Sequence, residues 1–207
     1  GQMTLEQVRD EALTLFLAGH ETTALALTWT LYLLSQHPEA AEKLREEADR
    51  VLEGRRLPTA GDYPSLAYAK WVMSEGMRLY PPAFSFGREC IADNRVGPYV
   101  IEKGMNVAMA PYFVHRDPRW WDEPEVFRPE RWDPEQARER PRFAYFPFGG
   151  GRRVCIGEGF AWMESVLVLA MIMQRYSFTL DEGYECLLHP AVTLRPRNNM
   201  PMTLHAR

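Results

Sequence analysis

The stretch Phe146-Pro147-Phe148-Gly149-Gly150-Gly151-Arg152-Arg153-Val154-Cys155-Ile156-Gly157 sets three glycines and two arginines ahead of a cysteine. An apolar segment, residues 160–173 interrupted by Glu164, follows it. That segment reads as a core helix, which places Cys155 just before a helix N-terminus. The partial positive charge there, with the neighbouring arginines, favours thiolate over thiol. The glycines allow the backbone to run close to something flat or to take positive φ. Taken alone, the cysteine reads first as a buried thiol ahead of a core helix. Its spacing to the neighbouring residues changes that reading.

Phe148, Gly151, Arg153, Cys155 and Gly157 fit the pattern F-x-x-G-x-R-x-C-x-G. This resembles the haem-binding loop of the cytochrome P-450 family. The resemblance implies that Cys155 is the proximal thiolate ligand of haem iron and that Arg153 pairs with a haem propionate. Phe148, Gly151 and Gly157 would frame the cofactor. A thiolate axial ligand pushes electron density onto iron and favours O–O cleavage. A phosphate cradle is excluded, because no Gly-Lys-Ser/Thr follows the glycines and no strand-then-helix pattern surrounds them.

The 207 residues are enough for a substantial core. A net charge of −4, with 46% hydrophobic and 25% charged residues, is ordinary for a globular protein and excludes a generally basic nucleic-acid binder. Cys90, Cys155 and Cys186 are odd in number and widely spaced, which suggests neither a disulfide framework nor a cysteine zinc site. A reducing, cytoplasmic setting fits. No apolar run reaches ~18 residues, so no membrane span is visible. Family members are about twice as long, so the resemblance implies a C-terminal half of one domain, with any anchor in the missing part.

Thr4-Leu5-Glu6-Gln7 reads as a capping box opening a helix over residues 5–35, ended by His37-Pro38. Inside it, Ala18-Gly19-His20-Glu21-Thr22-Thr23 combines a glycine with threonines that bond back to the preceding turn, so the helix is expected to bulge there. By itself this is a kink with an incidental acid. The segment also matches the family's A-G-x-[DE]-T-T oxygen-activation motif. By that resemblance Ala18 and Gly19 are small so that haem and O2 fit, and Glu21 and Thr22 are the catalytic residues that deliver protons. His20 occupies a variable position and reads as a solvated or hydrogen-bonded histidine.

A second helix is expected over residues 38–52 and a third over residues 65–79. The third contains Glu75-Gly76-Met77-Arg78, one of eight E-x-x-R pairs in the chain. Most of them, Glu42/Arg45 and Glu47/Arg50 included, are expected to be surface pairs worth a few tenths of a kcal/mol each. Glu75/Arg78 stands apart because Trp71, Val72, Met73, Met77 and Leu79 surround it and Pro81-Pro82 ends its helix. The family's Phe-x-Pro-x-Arg-Trp segment matches residues 127–132, and its arginine, Arg131, would join Glu75 and Arg78 in a buried network.

Short β-like runs follow at residues 84–88, 99–101 and 106–109. The resemblance makes Arg88, otherwise a surface strand residue, a second propionate ligand. It also places Ala83, Phe84, Ser85, Phe86 and Val192 in the substrate pocket. Between residues 138 and 153 five arginines (138, 140, 142, 152, 153) face one acid, Glu139. This stretch is either a solvated loop or a basic patch that steers an acidic electron donor, namely a ferredoxin, flavodoxin or reductase domain. A helix over residues 157–176 and strands at 178–180 and 192–194 close the chain. The expected fold is therefore mainly α with small β-sheets. The implied activity is haem-thiolate monooxygenation of a small organic substrate by O2, with electrons from NAD(P)H. A peroxide-using peroxygenase and a non-catalytic haem-binding fragment are the alternatives, the intact Glu21-Thr22 pair favouring O2.

Overall fold

Helix α1 (Leu5–Gln36) is the spine of the molecule in the computed structural model, which describes residues 3–137 and 140–207. Arg138 and Glu139, counted in the basic stretch and in two of the E-x-x-R pairs, lie outside the described residues. The capping box closes as expected: Gln7 N–H donates to Thr4 Oγ1 at 3.2 Å and Thr4 N–H to Gln7 Oε1 at 2.9 Å. Two orphan donors of the first turn are thereby satisfied. At ~1.5 Å per residue the helix runs roughly 48 Å. The expected bulge does not form, and the helix is continuous through Ala18–Thr23. Thr22 Oγ1 donates to Ala18 O at 2.6 Å, adding a bond to that carbonyl within an intact helix. Nothing lies within 4 Å of a Cβ built on Gly19, so no neighbour presses the helix open.

The first turns of α1 leave apolar side chains outside, with Leu5 88% and Leu17 65% exposed. The later turns bury Ala26, Trp29, Thr30, Leu33 and Leu34. This half packs on α3 (Ala67–Leu79) and α6 (Glu158–Arg175), with α2 (Pro38–Val51) against both of them. Leu44, Val72, Met73, Val166, Leu169 and Met173 fill the centre with no exposed surface. Gly76 permits the close approach of α3 to α1, because a Cβ there would sit 2.3 Å from Thr30 Oγ1.

One expected surface pair is overturned. Glu47 is buried, and its carboxylate accepts the Tyr68 N–H at 2.9 Å and the Ala69 N–H at 2.8 Å. It caps the first turn of α3, where the N-cap residue Leu66 has no side chain able to do so. Its partner by spacing, Arg50, lies 3.9 Å away on the surface.

Among the described residues the β structure is four two-stranded antiparallel sheets. Strand β1 (Phe86–Glu89) pairs with β4 (Asn106–Met109), and β2 (Asn94–Val96) with β3 (Tyr99–Ile101). Strand β5 (Tyr176–Leu180) pairs with β8 (Met202–Ala206), and β6 (Leu188–Pro190) with β7 (Leu194–Pro196). Strands β2, β6 and β8 escape sequence reading because each is largely exposed, so no one-sided burial leaves an alternation in them. Two single-turn helices, α4 (Pro111–Val114) and α5 (Pro134–Ala137), and several 3-10 turns complete a mainly helical fold with small sheets. Among the described residues no helix is long and apolar enough to cross a membrane.

Candidate functional site

Under the core, α3 carries Glu75 and Arg78, both without exposed surface, and the 3-10 turn at Pro129–Trp132 brings Arg131 to them. Glu75 Oε1 accepts Arg78 Nη2 at 2.9 Å, Arg131 Nε at 2.8 Å and the Arg128 N–H at 3.0 Å. Its Oε2 accepts Arg78 Nε and Trp132 Nε1, each at 2.9 Å. The two guanidinium groups spend their remaining protons on carbonyls. Arg78 reaches His115, Pro124 and Val126, while Arg131 reaches Asp122, Glu123 and Val126. Glu123 sits at φ 46, in the left-handed region, within this irregular run. One carboxylate thus organises a loop that has little regular structure of its own.

Of the arginines counted toward a basic patch, Arg140 does not belong on the surface. Its guanidinium lies 4.5 Å from the Trp121 ring and 5.2 Å from the Trp132 ring, and it donates to the Arg131 carbonyl. Burial, then the charge of Arg131, holds its pKa below the usual arginine range. The tryptophan faces supply part of what a carboxylate would. Arg142, Arg152 and Arg153 remain exposed.

The loop at residues 146–157 is folded on itself. The Gly149 N–H donates to Phe146 O at 2.9 Å, and the Cys155 N–H to Phe148 O at 3.0 Å. Gly149 and Gly151 take φ of 76° and 66°, which side-chain-bearing residues adopt only with strain. Phe148 packs against Trp162 of α6, with ring centroids 5.7 Å apart. Gly157 caps α6, and a Cβ at that position would stand 3.8 Å from the Cys155 sulfur, in ordinary van der Waals contact with it. Cys155 itself is exposed and flanked by exposed Val154 and Ile156, the latter 93% exposed.

A cavity of about 40 Å³ joins this loop to α1: Thr22, Thr23 and Ala26 form one wall, Pro147 and Phe148 another, and Pro82 and Ala83 a third. Ala18 and Gly19 continue the α1 wall outward and are exposed. Glu21 is tied to the far end of the chain. Its Oε1 accepts Thr193 Oγ1 at 2.7 Å and Arg195 Nη2 at 2.6 Å, with both charged side chains about half exposed (45% and 44%). Sequence reasoning missed this clamp. It also gave no role to His115, whose ring holds the start of the loop. Only the charged and hydroxyl residues of Thr193-Leu194-Arg195 hinted at the first.

Arg88 on β1 and Arg153 on the loop are both exposed, and neither pairs with a carboxylate among the described residues. Arg88 lies over the Phe86 ring at 5.2 Å, and Phe86 meets Phe146 edge-on at 6.1 Å. Of the expected pocket residues, Ala83 lines the small cavity, and Phe84 is half-buried while Ser85 is exposed. Phe86 packs toward the loop, and Val192 is 90% exposed and outside any strand. His20 is exposed and stacks on Phe16 at 5.5 Å.

These groups fit a haem. Among the described residues no three His, Cys, Asp or Glu side chains gather as a metal cage. The accessible Cys155 thiol would be free to ligate the iron of a haem. The exposed apolar flanks of Cys155 suit a flat apolar ring, and the two arginines without carboxylate partners suit its acid groups.

The chain is similar to known proteins over nearly its whole length. The family model described as Cytochrome P450 matches residues 1–200. Cyclooctatin synthase of Streptomyces melanosporofaciens is 41% identical over 203 residues, covering 98% of this chain and 42% of its own. Cytochrome P450 4V2 of Homo sapiens is 38% identical over 208 residues, covering 100% of this chain and 40% of its own. The crystal structure of the cytochrome P450DA heme domain superposes with a TM-score of 0.94 at 32% identity, covering 100% of this chain and 45% of that one. The chain thus spans about two fifths of the length of these curated relatives.

Proposed function

This chain belongs to the cytochrome P450 family, whose cofactor is a cysteine-ligated haem, and from that premise we propose that it carries the iron-ligating and proton-handling side of a monooxygenase. The whole protein would insert one oxygen atom from O2 into a small organic substrate, with NAD(P)H electrons arriving through an acidic redox partner at the exposed arginines Arg142, Arg152 and Arg153. A cytoplasmic setting that keeps its three cysteines reduced belongs to the same reading. The observation that carries the proposal is the exposed Cys155 sulfur, presented on a self-bonded glycine loop beside a cavity walled by Thr22.

Cys155 would ligate the iron, and Arg153 and Arg88 would hold the propionates. When bound, the haem supplies the redox centre at which O2 is reduced. The chain's own groups do the rest. Phe148 holds the loop through its carbonyl, which accepts the Cys155 N–H, and through its packing on Trp162. Gly151 allows the positive φ of the turn, and Gly157 starts α6 just after the cysteine. Ala18 and Gly19 leave space along α1. Thr22 Oγ1 donates to Ala18 O, which leaves its oxygen lone pairs to accept a hydrogen bond from a group in the cavity. Glu21 Oε1 is held by Thr193 and Arg195, while the half-exposed carboxylate stays open to water and can exchange protons with solvent. Glu75, Arg78 and Arg131 fix the loop beneath.

The test is the reduced carbonyl complex of the full-length protein. A red-shifted Soret band of a thiolate is expected, lost in Cys155→His and retained in Cys90→Ser and Cys186→Ser. A thiolate-type band that survives Cys155→His would refute the assignment.

A further inference from the structure

A buried histidine behind the thiolate loop has no task in the function proposed above. His115 has no exposed surface, its carbonyl oxygen accepts Arg78 Nη1 at 2.9 Å, and its ring Nε2 accepts the Phe146 N–H at 2.9 Å. We infer that His115 is a positioning residue for Cys155: through backbone and ring it ties the Glu75–Arg78–Arg131 network to the root of the loop that presents the sulfur. This rests on Cys155 being the iron ligand.

The tie continues toward the sulfur through backbone bonds. Phe146 O accepts the Gly149 N–H at 2.9 Å, and Phe148 O accepts the Cys155 N–H at 3.0 Å. The His115–Phe146 bond is thus the first of three leading from the buried network to the cysteine. Two other contacts, Trp121 Nε1 to Ala144 O at 3.2 Å and Tyr145 Oη to Ser74 O at 3.1 Å, hold the residues just before the loop. Among the described residues, the histidine alone hydrogen-bonds its first residue from the direction of Arg78.

The chemistry requires a neutral imidazole. A backbone N–H only donates, so Nε2 must be the unprotonated nitrogen and the proton sits on Nδ1. Nδ1 finds no well-aligned partner, although the Met77 and Arg78 backbone lies near it. Burial, then the charge of Arg78, pushes the imidazole down to about 3, which keeps the acceptor form in place at neutral pH. The ring is also wedged, 4.9 Å from Tyr145 and edge-on to Phe146 at 5.4 Å. A leucine would fill this space but remove the acceptor of the part-buried Phe146 N–H. A glutamine would offer an uncharged carbonyl oxygen at about the reach of Nε2.

The experiment compares His115→Leu and His115→Gln in the haem-loaded full-length protein. Two readouts are taken: the rate at which the thiolate-type Soret band of the reduced carbonyl complex decays to the neutral-thiol band, and hydrogen exchange at the Phe146 amide. Loss of this part-buried bond predicts both rates up to roughly tenfold faster in His115→Leu, with His115→Gln near the parent protein. Equal behaviour of the two variants overturns the inference, whether both keep the band or both fail to fold with haem. If the parent protein itself shows no thiolate band, the ligand assignment has failed, and amide exchange decides separately: an unchanged Phe146 rate in His115→Leu refutes the tie.

Discussion

Three glutamates with identical E-x-x-R spacing, Glu42, Glu47 and Glu75, provide a graded test of burial. Each is changed to glutamine, which keeps the shape and removes the charge. At Glu75 five donors converge on two oxygens. A glutamine retains one oxygen, so at least two donors would face an amide N–H₂. It also leaves Arg78 and Arg131 with no carboxylate, at 0% and 4% exposure. Removing one partner of a buried ion pair costs about 3–5 kcal/mol. At ~1.4 kcal/mol per power of ten, the folded-to-unfolded ratio falls roughly a hundred- to several-thousandfold. That is a large share of a typical stability of about 5–15 kcal/mol. Glu47→Gln loses the charge that caps α3 and should cost about 1 kcal/mol. Glu42 is 54% exposed beside Arg45, and its change should cost a few tenths of a kcal/mol at most. Urea midpoints and haem content of the full-length protein provide the measurement. Equal midpoints for Glu75→Gln and Glu42→Gln would refute the reasoning, because spacing, which the two share, would then matter and burial would not.

Thr22→Ala should keep haem and substrate binding but lower product formed per NAD(P)H consumed, with the difference appearing as peroxide; unchanged coupling would reduce Thr22 to a residue that bonds back to Ala18. Gly76→Ala places a Cβ where Thr30 Oγ1 stands, and overpacking of this kind costs about 1–3 kcal/mol. Adding Thr30→Ala should recover part of that loss in the same unfolding assay. His115 gives a pH prediction. Its folded pKa lies at about 3, below the ordinary 6.5, so the unfolded chain binds the proton first. The stability is present above pH ~6.5 and is lost as pH falls toward ~3, by up to ~1.4 kcal/mol per pH unit. Unfolding midpoints of His115→Gln should show a shallower slope across that window; parallel slopes would mean the imidazole takes up its proton without unfolding.

The sequence alone determined the features whose causes are local. Thr4 and Gln7 cap α1 three residues apart, His37-Pro38 ends it, and F-x-x-G-x-R-x-C-x-G fixes the loop with its cysteine just before α6. Each of these is set by neighbours within a turn or two, so periodicity, capping chemistry and spacing suffice to read it. Glu75 could be singled out for the same reason, its apolar neighbours being on its own helix. Only the tertiary structure decided which groups distant segments bring together. Glu47 has the spacing of a surface pair and becomes a buried cap because α3 starts against it. Arg140, one charge in a basic run, folds back between two tryptophans. Glu21 meets Arg195 across 174 positions, and His115 reaches Phe146 across 31. A helix repeat fixes which face a side chain is on, but whether that face meets water, another charge or a backbone donor is settled by chain segments far away in sequence, and that is what separates a solvated charge from a working one.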